Sequence, residues 1–304
     1  MKTAVVTGAN AGLGYAITTG LIREGYRVIM ACRNEAKAAA ARTALLQANP
    51  NATLQVLPLD LSDLGSVETF AKLFAEQVGQ LDLLVNNAGI TDVPLARNAA
   101  GHEMQMATNY LGNFALIGRM LPYFNKEGQC RIVNVGSLAH RFGKLVLDDM
   151  NWERDTYKPM KSYARSKIAL MTFTCELNRR LQGSNILVLG AHPGFAATEI
   201  TKKNDSYKDK SKLSLWIQSK VEPLIPTPED AARPTLLAAL SDQVKSGDYY
   251  GPGGFLEIGG KPAPAKLATA AKDPELGRKL WEISEQMTGV SYLDSEGEKE
   301  AVPA

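Results

Sequence analysis

The 304-residue sequence has few cysteines, no long apolar run and almost no net charge, and each of these absences excludes a class of protein. The three cysteines, Cys32, Cys130 and Cys175, are far apart and lack metal-ligand spacing, so we expect buried reduced thiols. A net charge of +2 is too small to indicate a nucleic-acid partner or an anionic membrane. No apolar run reaches the length of a membrane span. The first strand begins at Lys2, which leaves no room for a signal peptide, and we expect a cytoplasmic protein.

Short β-branched runs alternate with helical patterns along most of the chain. Strands are predicted at Thr3–Thr7, Tyr26–Ala31, Leu54–Leu59, Leu81–Val85, Arg131–Val135 and Ile186–Leu189. This alternation predicts an α/β fold with a doubly wound (Rossmann) parallel sheet flanked by helices. There is no internal repeat or linker, so residues 1–293 are expected to form one domain. The acidic tail, residues 294–304, is expected to be disordered.

Glycine or polar residues follow each predicted strand, at the sheet edge where such folds bind their ligands. The first strand runs into Gly8-Ala9-Asn10-Ala11-Gly12-Leu13-Gly14 and a helix, a setting in which backbone N–H groups hold a pyrophosphate. An ordinary tight βα turn would have similar glycines. No acid ends the second strand, and Arg33 there favours the 2′-phosphate of NADP, whereas NAD is less favoured. The alternative for Arg33 is a solvated residue at a helix start.

Tyr163 and Lys167 lie four residues apart in the longest helical pattern, so both side chains are predicted to share one helix face. A nearby cation favours the phenolate of a tyrosine, and such a pair suits proton transfer to or from a carbonyl or alcohol oxygen. Tyr157 and Lys161 have the same spacing, but Pro159 between them would break the helix. A surface tyrosine beside a solvated lysine is the alternative for the Tyr163 pair.

Together these motifs resemble those of the short-chain dehydrogenase/reductase family, in the family's order and over about residues 1–260. The matching residues are Thr7–Gly14, Asp60-Leu61, Asn86–Gly89, Asn109, Ser137, Tyr163, Lys167, Pro193-Gly194 and Thr198. The resemblance implies a cofactor site formed by Gly8, Asn10, Gly12, Leu13, Gly14, Arg33, Asp60, Leu61, Asn87, Ala88, Gly89, Tyr163, Lys167, Pro193, Gly194 and Thr198. It also implies a catalytic tetrad of Asn109, Ser137, Tyr163 and Lys167.

The chain is most similar to the retinol-dehydrogenase-like and protochlorophyllide-reductase-like branch of that family. The similarity rests on Ala31–Asn34, Asn109–Phe114, Asn151–Glu153 and a C-terminal helix around Glu275–Glu282. Ala11 stands where a serine is common in the branch, which removes one possible contact to the adenosine ribose or its phosphate. Residues 138–160 form an insertion before Tyr163, expected beside the active site or the usual subunit interface.

The resemblance assigns a role to each member of the tetrad. Tyr163 would give a proton to the nascent alkoxide or remove it from an alcohol, and Ser137 would hydrogen-bond the same oxygen. Lys167 would favour the phenolate and hold the nicotinamide ribose, and Asn109 would support a water that links Lys167 to solvent. His140 and His192 could serve as bases, but His192 precedes a Pro-Gly turn and we favour a structural role for it.

A lid is expected over the substrate at residues 195–226, where a lysine-rich half precedes an apolar half. An ordinary surface helix or a membrane-surface helix are the alternatives for this segment. We therefore expect an NADP(H)-dependent carbonyl reductase or alcohol dehydrogenase for an apolar small-molecule ketone, aldehyde or secondary alcohol, with no membrane partner and a possible homodimer. A reductase of a conjugated C=C bond and a non-catalytic nucleotide-sensing protein are the alternatives.

Overall fold

The computed structural model describes residues 1–194 and 226–292, and within them the strands form one eight-stranded sheet. Its order is β3-β2-β1-β4-β5-β6-β7-β8, and neighbouring strands are parallel except for the antiparallel pair β7 and β8. The strands are β1 (Thr3–Thr7), β2 (Arg27–Cys32), β3 (Leu54–Pro58), β4 (Leu83–Asn86), β5 (Cys130–Val135), β6 (Ile186–Ala191), β7 (Tyr249–Pro252) and β8 (Pro262–Pro264). The reversal of strand order beside β1 makes this a doubly wound sheet.

Six helices lie between successive parallel strands, and a seventh follows β8 in the described part of the chain. They are α1 (Gly12–Arg23), α2 (Glu35–Ala48), α3 (Leu64–Gln77), α4 (residues 104–120), α5 (Pro159–Arg180), α6 (Pro228–Leu240) and α7 (Pro274–Thr288). Within α4, a π-helical turn at Ala107–Leu111 joins the α-helical segments Met104–Met106 and Gly112–Met120. Shorter 3₁₀ turns lie at Leu121–Tyr123, Leu138–Arg141, Leu147–Asp149 and Thr269–Lys272.

The apolar core lies in two layers, one on each face of the sheet. Helices α1, α2 and α6 bury their apolar stripes on one face, and α3, α4, α5 and α7 bury theirs on the other. Strand β1 is buried along its whole length, as expected of a parallel strand that is covered on both faces. Phe114 of α4 is fully buried and contacts the Trp281 ring of α7 at 5.3 Å between centroids, and burial of one such ring contributes about 2–3 kcal/mol.

The predicted fold class is confirmed, and the details that differ have local causes. β7 and β8 were not expected, because glycine and proline interrupt their short apolar pattern. The helix that contains Asn109 is divided into α-helical segments by the π-helical turn. The predicted tail and all of the predicted lid except Pro226 lie outside the described residues. Among the residues that are described, no helix is both long enough and apolar enough to cross a membrane.

Candidate active site

The glycine turn between β1 and α1 is packed too closely for side chains. A Cβ on Gly14 would lie 2.2 Å from the carbonyl oxygen of Gly8, and Gly8 itself has a φ of +66°. The side chain of Asn87, which follows β4, donates a hydrogen bond to the carbonyl oxygen of Thr7 (2.9 Å). The Thr7 hydroxyl accepts the N–H groups of Asn87 and Ala88 (2.9 Å each). The glycines therefore leave the backbone N–H groups at the start of α1 uncovered by side chains. Such groups fit the pyrophosphate of a dinucleotide.

Arg33 and Asp60 mark the outer end of this groove, after β2 and β3. The Arg33 guanidinium is largely exposed and lies 3.8 Å from the Asp60 carboxylate. That carboxylate accepts hydrogen bonds from the backbone N–H (2.9 Å) and hydroxyl (2.6 Å) of Ser62, so its position is fixed. The structure thus places a fixed acid and an exposed cation together, where the sequence predicted the adenosine end of the cofactor.

Asn109 lies in the π-helical turn of α4 and holds the loop that follows β4. Its carboxamide accepts the N–H of Ile90 (2.8 Å), donates to the Ile90 carbonyl oxygen (2.9 Å) and donates to the Ser166 hydroxyl (2.9 Å). A Cβ on Gly89 would lie 3.0 Å from the Asn109 side-chain oxygen and 3.6 Å from the Lys167 ammonium. A side chain at position 89 would therefore press on the Asn109 carboxamide, which would have to shift. The expected water beside Asn109 stays a prediction.

Ser137 and Tyr163 come together although 26 positions separate them in the chain. Ser137 follows β5, its hydroxyl accepts the N–H of Ala139 (3.2 Å), and it lies close enough to the phenol of Tyr163 to act on the pKa of that phenol. Tyr163 is half-buried on α5. Burial raises the pKa of the Tyr163 phenol, and the nearby Ser137 hydroxyl opposes that rise without cancelling it. Two hydroxyl groups thus meet at the carboxyl end of the sheet, as the sequence predicted.

Lys167 lies one turn after Tyr163 on the same face of α5, and its side chain is 4 % exposed. Its ammonium donates to the carbonyl oxygen of Val135 (2.9 Å) and lies 5.9 Å from the centroid of the Tyr163 ring. Burial lowers the pKa of Lys167 to about 8. We expected Lys167 to lower the pKa of Tyr163, yet the net shift of that phenol is upward, because desolvation is its largest cause.

The insertion between Ser137 and α5 packs against the start of that helix. Arg165, on α5, stacks over the Trp152 ring at 3.7 Å and donates to the carbonyl oxygen of Asp149 (2.7 Å). Tyr157 donates from its hydroxyl to Val93 (2.9 Å), so its role is structural rather than part of a second Tyr-Lys pair. The insertion therefore lies beside the candidate active site, which is one of the two places expected for it.

The segments after β6 and β7 meet near the candidate active site, and the contribution from the segment after β7 was not predicted. Pro193 and Gly194 follow β6 as expected, whereas Thr198 lies outside the described residues. His192 is buried and bonds the Glu257 carboxylate (2.9 Å), and burial lowers its pKa to about 4, which supports the expected structural role. Sequence reasoning missed Glu257. The signal available was a pair of glycines on each side of it, Gly253-Gly254 and Gly259-Gly260.

Comparison with known proteins gives the context of this site. The sequence profile described as short chain dehydrogenase matches residues 2–209. The chain belongs to the short-chain dehydrogenase/reductase family. Members of this family bind a nicotinamide cofactor. Within the family, the chain lies in the retinol-dehydrogenase-like branch.

The relatives and solved structures cover nearly the whole chain. Human retinol dehydrogenase 13 is 35 % identical over 296 residues, which are 95 % of this chain and 85 % of the human protein. Mouse retinol dehydrogenase 14 is 36 % identical and covers 95 % of this chain and 86 % of its own length. A crystal structure of an uncharacterised protein from Mycobacterium paratuberculosis has a TM-score of 0.77 at 36 % identity, over 96 % of this chain and 95 % of that one. The active-site complex of Pseudomonas aeruginosa RhlG with NADP has a TM-score of 0.64 at 26 % identity, over 82 % and 93 %.

Proposed function

We propose that the protein is an NADP(H)-dependent oxidoreductase that transfers a hydride between nicotinamide and the carbonyl or alcohol carbon of an apolar ketone, aldehyde or secondary alcohol. The observation that carries this proposal is the approach of the Ser137 hydroxyl to the Tyr163 phenol, with Lys167 one turn away on the same helix face. A protein that only senses a nucleotide has no need for two converging hydroxyl groups beyond the glycine turn.

The protonation states favour reduction of a carbonyl near neutral pH. Because burial raises the pKa of Tyr163, the phenol keeps its proton and can donate it to the alkoxide oxygen that forms. The Ser137 hydroxyl hydrogen-bonds that same oxygen and stabilises its developing charge. Lys167, with a pKa of about 8, is about nine-tenths protonated at pH 7 and can hold the nicotinamide ribose hydroxyls. The bound nicotinamide supplies the hydride.

NADP is favoured over NAD by the charge at the outer end of the groove. Arg33 is exposed and free to turn its planar guanidinium toward a 2′-phosphate. The similar structure of RhlG in complex with NADP supports the same choice. Asp60, whose position Ser62 fixes, lies 3.8 Å from the Arg33 guanidinium at this end of the groove.

An apolar substrate is favoured by the side chains beside Tyr163. Met160 lies one turn before Tyr163 on α5, and its side chain is 53 % exposed. The Met160 sulfur is 3.9 Å from the hydroxyl of Thr91, in the loop that Asn109 holds. Methionine adapts its shape to apolar surfaces, so this wall suits a flexible hydrophobic compound. The similar retinol dehydrogenases are named after an apolar alcohol.

The experiment compares Tyr163→Phe with Tyr157→Phe in a screen of apolar ketones and aldehydes with NADPH. Removing the proton donor should lower kcat by about 100-fold or more, with little change in the Kd for NADPH. Tyr157→Phe removes a hydroxyl that bonds Val93 and Glu103, which should cost about 1–3 kcal/mol of stability but leave kcat within about threefold. Equal loss of kcat in both variants would contradict the assignment. Product analysis with an enone separates reduction of C=O from reduction of C=C.

A further inference from the structure

The catalytic serine is tied to the C-terminal part of the chain by His140. The Nε2 atom of His140 accepts the N–H of Ala268 (3.1 Å), so the ring proton must lie on Nδ1. Nδ1 then donates to the carbonyl oxygen of Ser137 at 2.5 Å. The histidine is fully buried, and burial lowers its pKa, so it acts as a neutral bridge. This hydrogen bond fixes the backbone of Ser137.

The residues Pro193 and Gly194 after β6, which are predicted to border the cofactor and are here called the nicotinamide loop, are held in the same manner by His192. Its Nδ1 atom accepts the N–H of Gly194 (3.2 Å), which places the ring proton on Nε2. Nε2 then donates to the Glu257 carboxylate (2.9 Å). The ring of Tyr249 contacts both histidines. Its centroid lies 5.4 Å from that of the His140 ring and 5.5 Å from that of the His192 ring, on which it stacks.

Glu257 joins these two supports. Its carboxylate accepts a hydrogen bond from the His192 ring and another from the guanidinium of Arg141 (2.5 Å). Arg141 directly follows His140 in the chain. The same guanidinium donates to the carbonyl oxygen of Lys266 (2.8 Å). An unbroken series of contacts therefore runs from Ser137 through His140, Arg141, Glu257 and His192 to Gly194.

The backbone at Glu257 is strained. Leu256 and Glu257 have φ values of +52° and +57°, a left-handed conformation that residues with a Cβ rarely adopt. Strain of this kind persists only where the surrounding contacts determine it, and it concentrates at functional sites. This turn places the Glu257 carboxylate between the guanidinium of Arg141 and the ring of His192. The Glu257 side chain is 18 % exposed, so both contacts are shielded from competing water.

We propose that Glu257 is a positioning residue that sets the distance between the Ser137 hydroxyl and the nicotinamide loop at Gly194. The proposal rests on the proposed hydride transfer and deepens it. The serine binds the reacting oxygen, and the loop after β6 borders the cofactor site. A shift of about 1 Å between the two would misalign the oxygen with the hydride donor, which can cost about 100-fold in rate. Glu257 would thus govern turnover without touching substrate or cofactor.

The test is Glu257→Gln in the full-length protein, with Glu275→Gln as its control. Glu275 is an exposed glutamate on α7 that pairs with Arg278, so the control breaks a similar pair far from the site. We expect Glu257→Gln to lower kcat by about 10- to 100-fold, with the substrate KM and the Kd for NADPH within about threefold. The kinetic isotope effect on kcat with NADPH deuterated at C4 should rise, because hydride transfer becomes slower than product release.

Each outcome decides the question. Unchanged kcat and isotope effect in Glu257→Gln would show a merely structural role and overturn the proposal. Should that variant fold poorly, Arg141→Gln breaks the same series of contacts but keeps the bond between His192 and Glu257. It is expected to show the same fall in kcat with little change in KM. If both variants match the wild type in turnover, the proposal falls. A wild-type protein that binds NADPH but reduces no carbonyl would instead reject the proposed function, and the positioning role with it.

Discussion

The burial of Lys167 should make the protein less stable than it would be without that charge. The ammonium is 4 % exposed and its pKa is about 8, against an ordinary value of 10.5. A folded-state pKa below the unfolded one means that the folded chain binds the proton less tightly. The penalty is therefore complete below about pH 8 and disappears as the pH rises past about 10.5. At pH 7 it amounts to about 3 kcal/mol, and near pH 9.5 to about 1 kcal/mol.

Lys167→Met is the change that tests this, because it removes the charge and keeps a long apolar side chain. It also leaves the carbonyl oxygen of Val135 without its partner, which costs about 1–3 kcal/mol at any pH. The informative quantity is therefore the difference in unfolding free energy between variant and wild type, measured by urea denaturation near pH 7 and near pH 9.5. The pH-independent cost cancels between the two conditions.

We expect the variant to lose about 2 kcal/mol relative to the wild type between these two pH values, since only the wild type gains stability as its lysine neutralises. A difference that stays constant with pH would refute the reasoning, because it would mean that Lys167 titrates alike in the folded and unfolded chain. A matched control is Lys279→Met, which removes an exposed lysine on α7.

Two further substitutions test the cofactor groove. Arg33→Asp should lower the ratio of kcat/KM for NADPH to that for NADH by about 10- to 100-fold, because it replaces a phosphate partner with a repelling charge; an unchanged ratio would remove Arg33 from the site. Gly14→Ala places a Cβ 2.2 Å from the Gly8 carbonyl oxygen and should weaken NADPH binding by at least about tenfold. Gly128→Ala is its control, since the nearest atom there is 3.6 Å away. Similar losses of NADPH binding in both variants would contradict the assignment of the glycine turn to the cofactor.

The sequence predicts the sheet well where strands are buried on both faces. Thr3–Thr7 is a continuous apolar and β-branched run, and its ends are marked by Lys2 and Gly8. The same logic fails for Tyr249–Pro252 and Pro262–Pro264, whose prolines and glycine give no strand pattern. β7 forms because β6 offers it hydrogen-bond partners, and β8 forms because β7 does the same for it. A tertiary cause of this kind leaves no local signal.

The site was predictable where a spacing or a strand end carried the information. Tyr163 and Lys167 share a helix face because they lie four positions apart, and Ser137 comes close to Tyr163 because β5 packs against α5. The π-helical turn around Asn109 was not predictable, since a change of hydrogen-bond register leaves the apolar periodicity nearly intact. Glu257 was missed for another reason. Its partners, Arg141 and His192, lie 116 and 65 positions away, so only the folded chain brings them together.

The contacts also divide the predicted site into supporting and reacting groups. The side-chain amide of Asn109 bonds the backbone of Ile90 through both its oxygen and its nitrogen, and the amide nitrogen of Asn87 donates to the carbonyl oxygen of Thr7, so both side chains shape the groove before any ligand arrives. A hydroxyl group keeps acceptor capacity beyond a single bond, and it can rotate its proton toward a new partner. Ser137 and Tyr163 can therefore still form new hydrogen bonds with a ligand. Chemistry at this site should depend steeply on those two hydroxyl groups, whereas replacing either amide should act mainly through the shape of the groove.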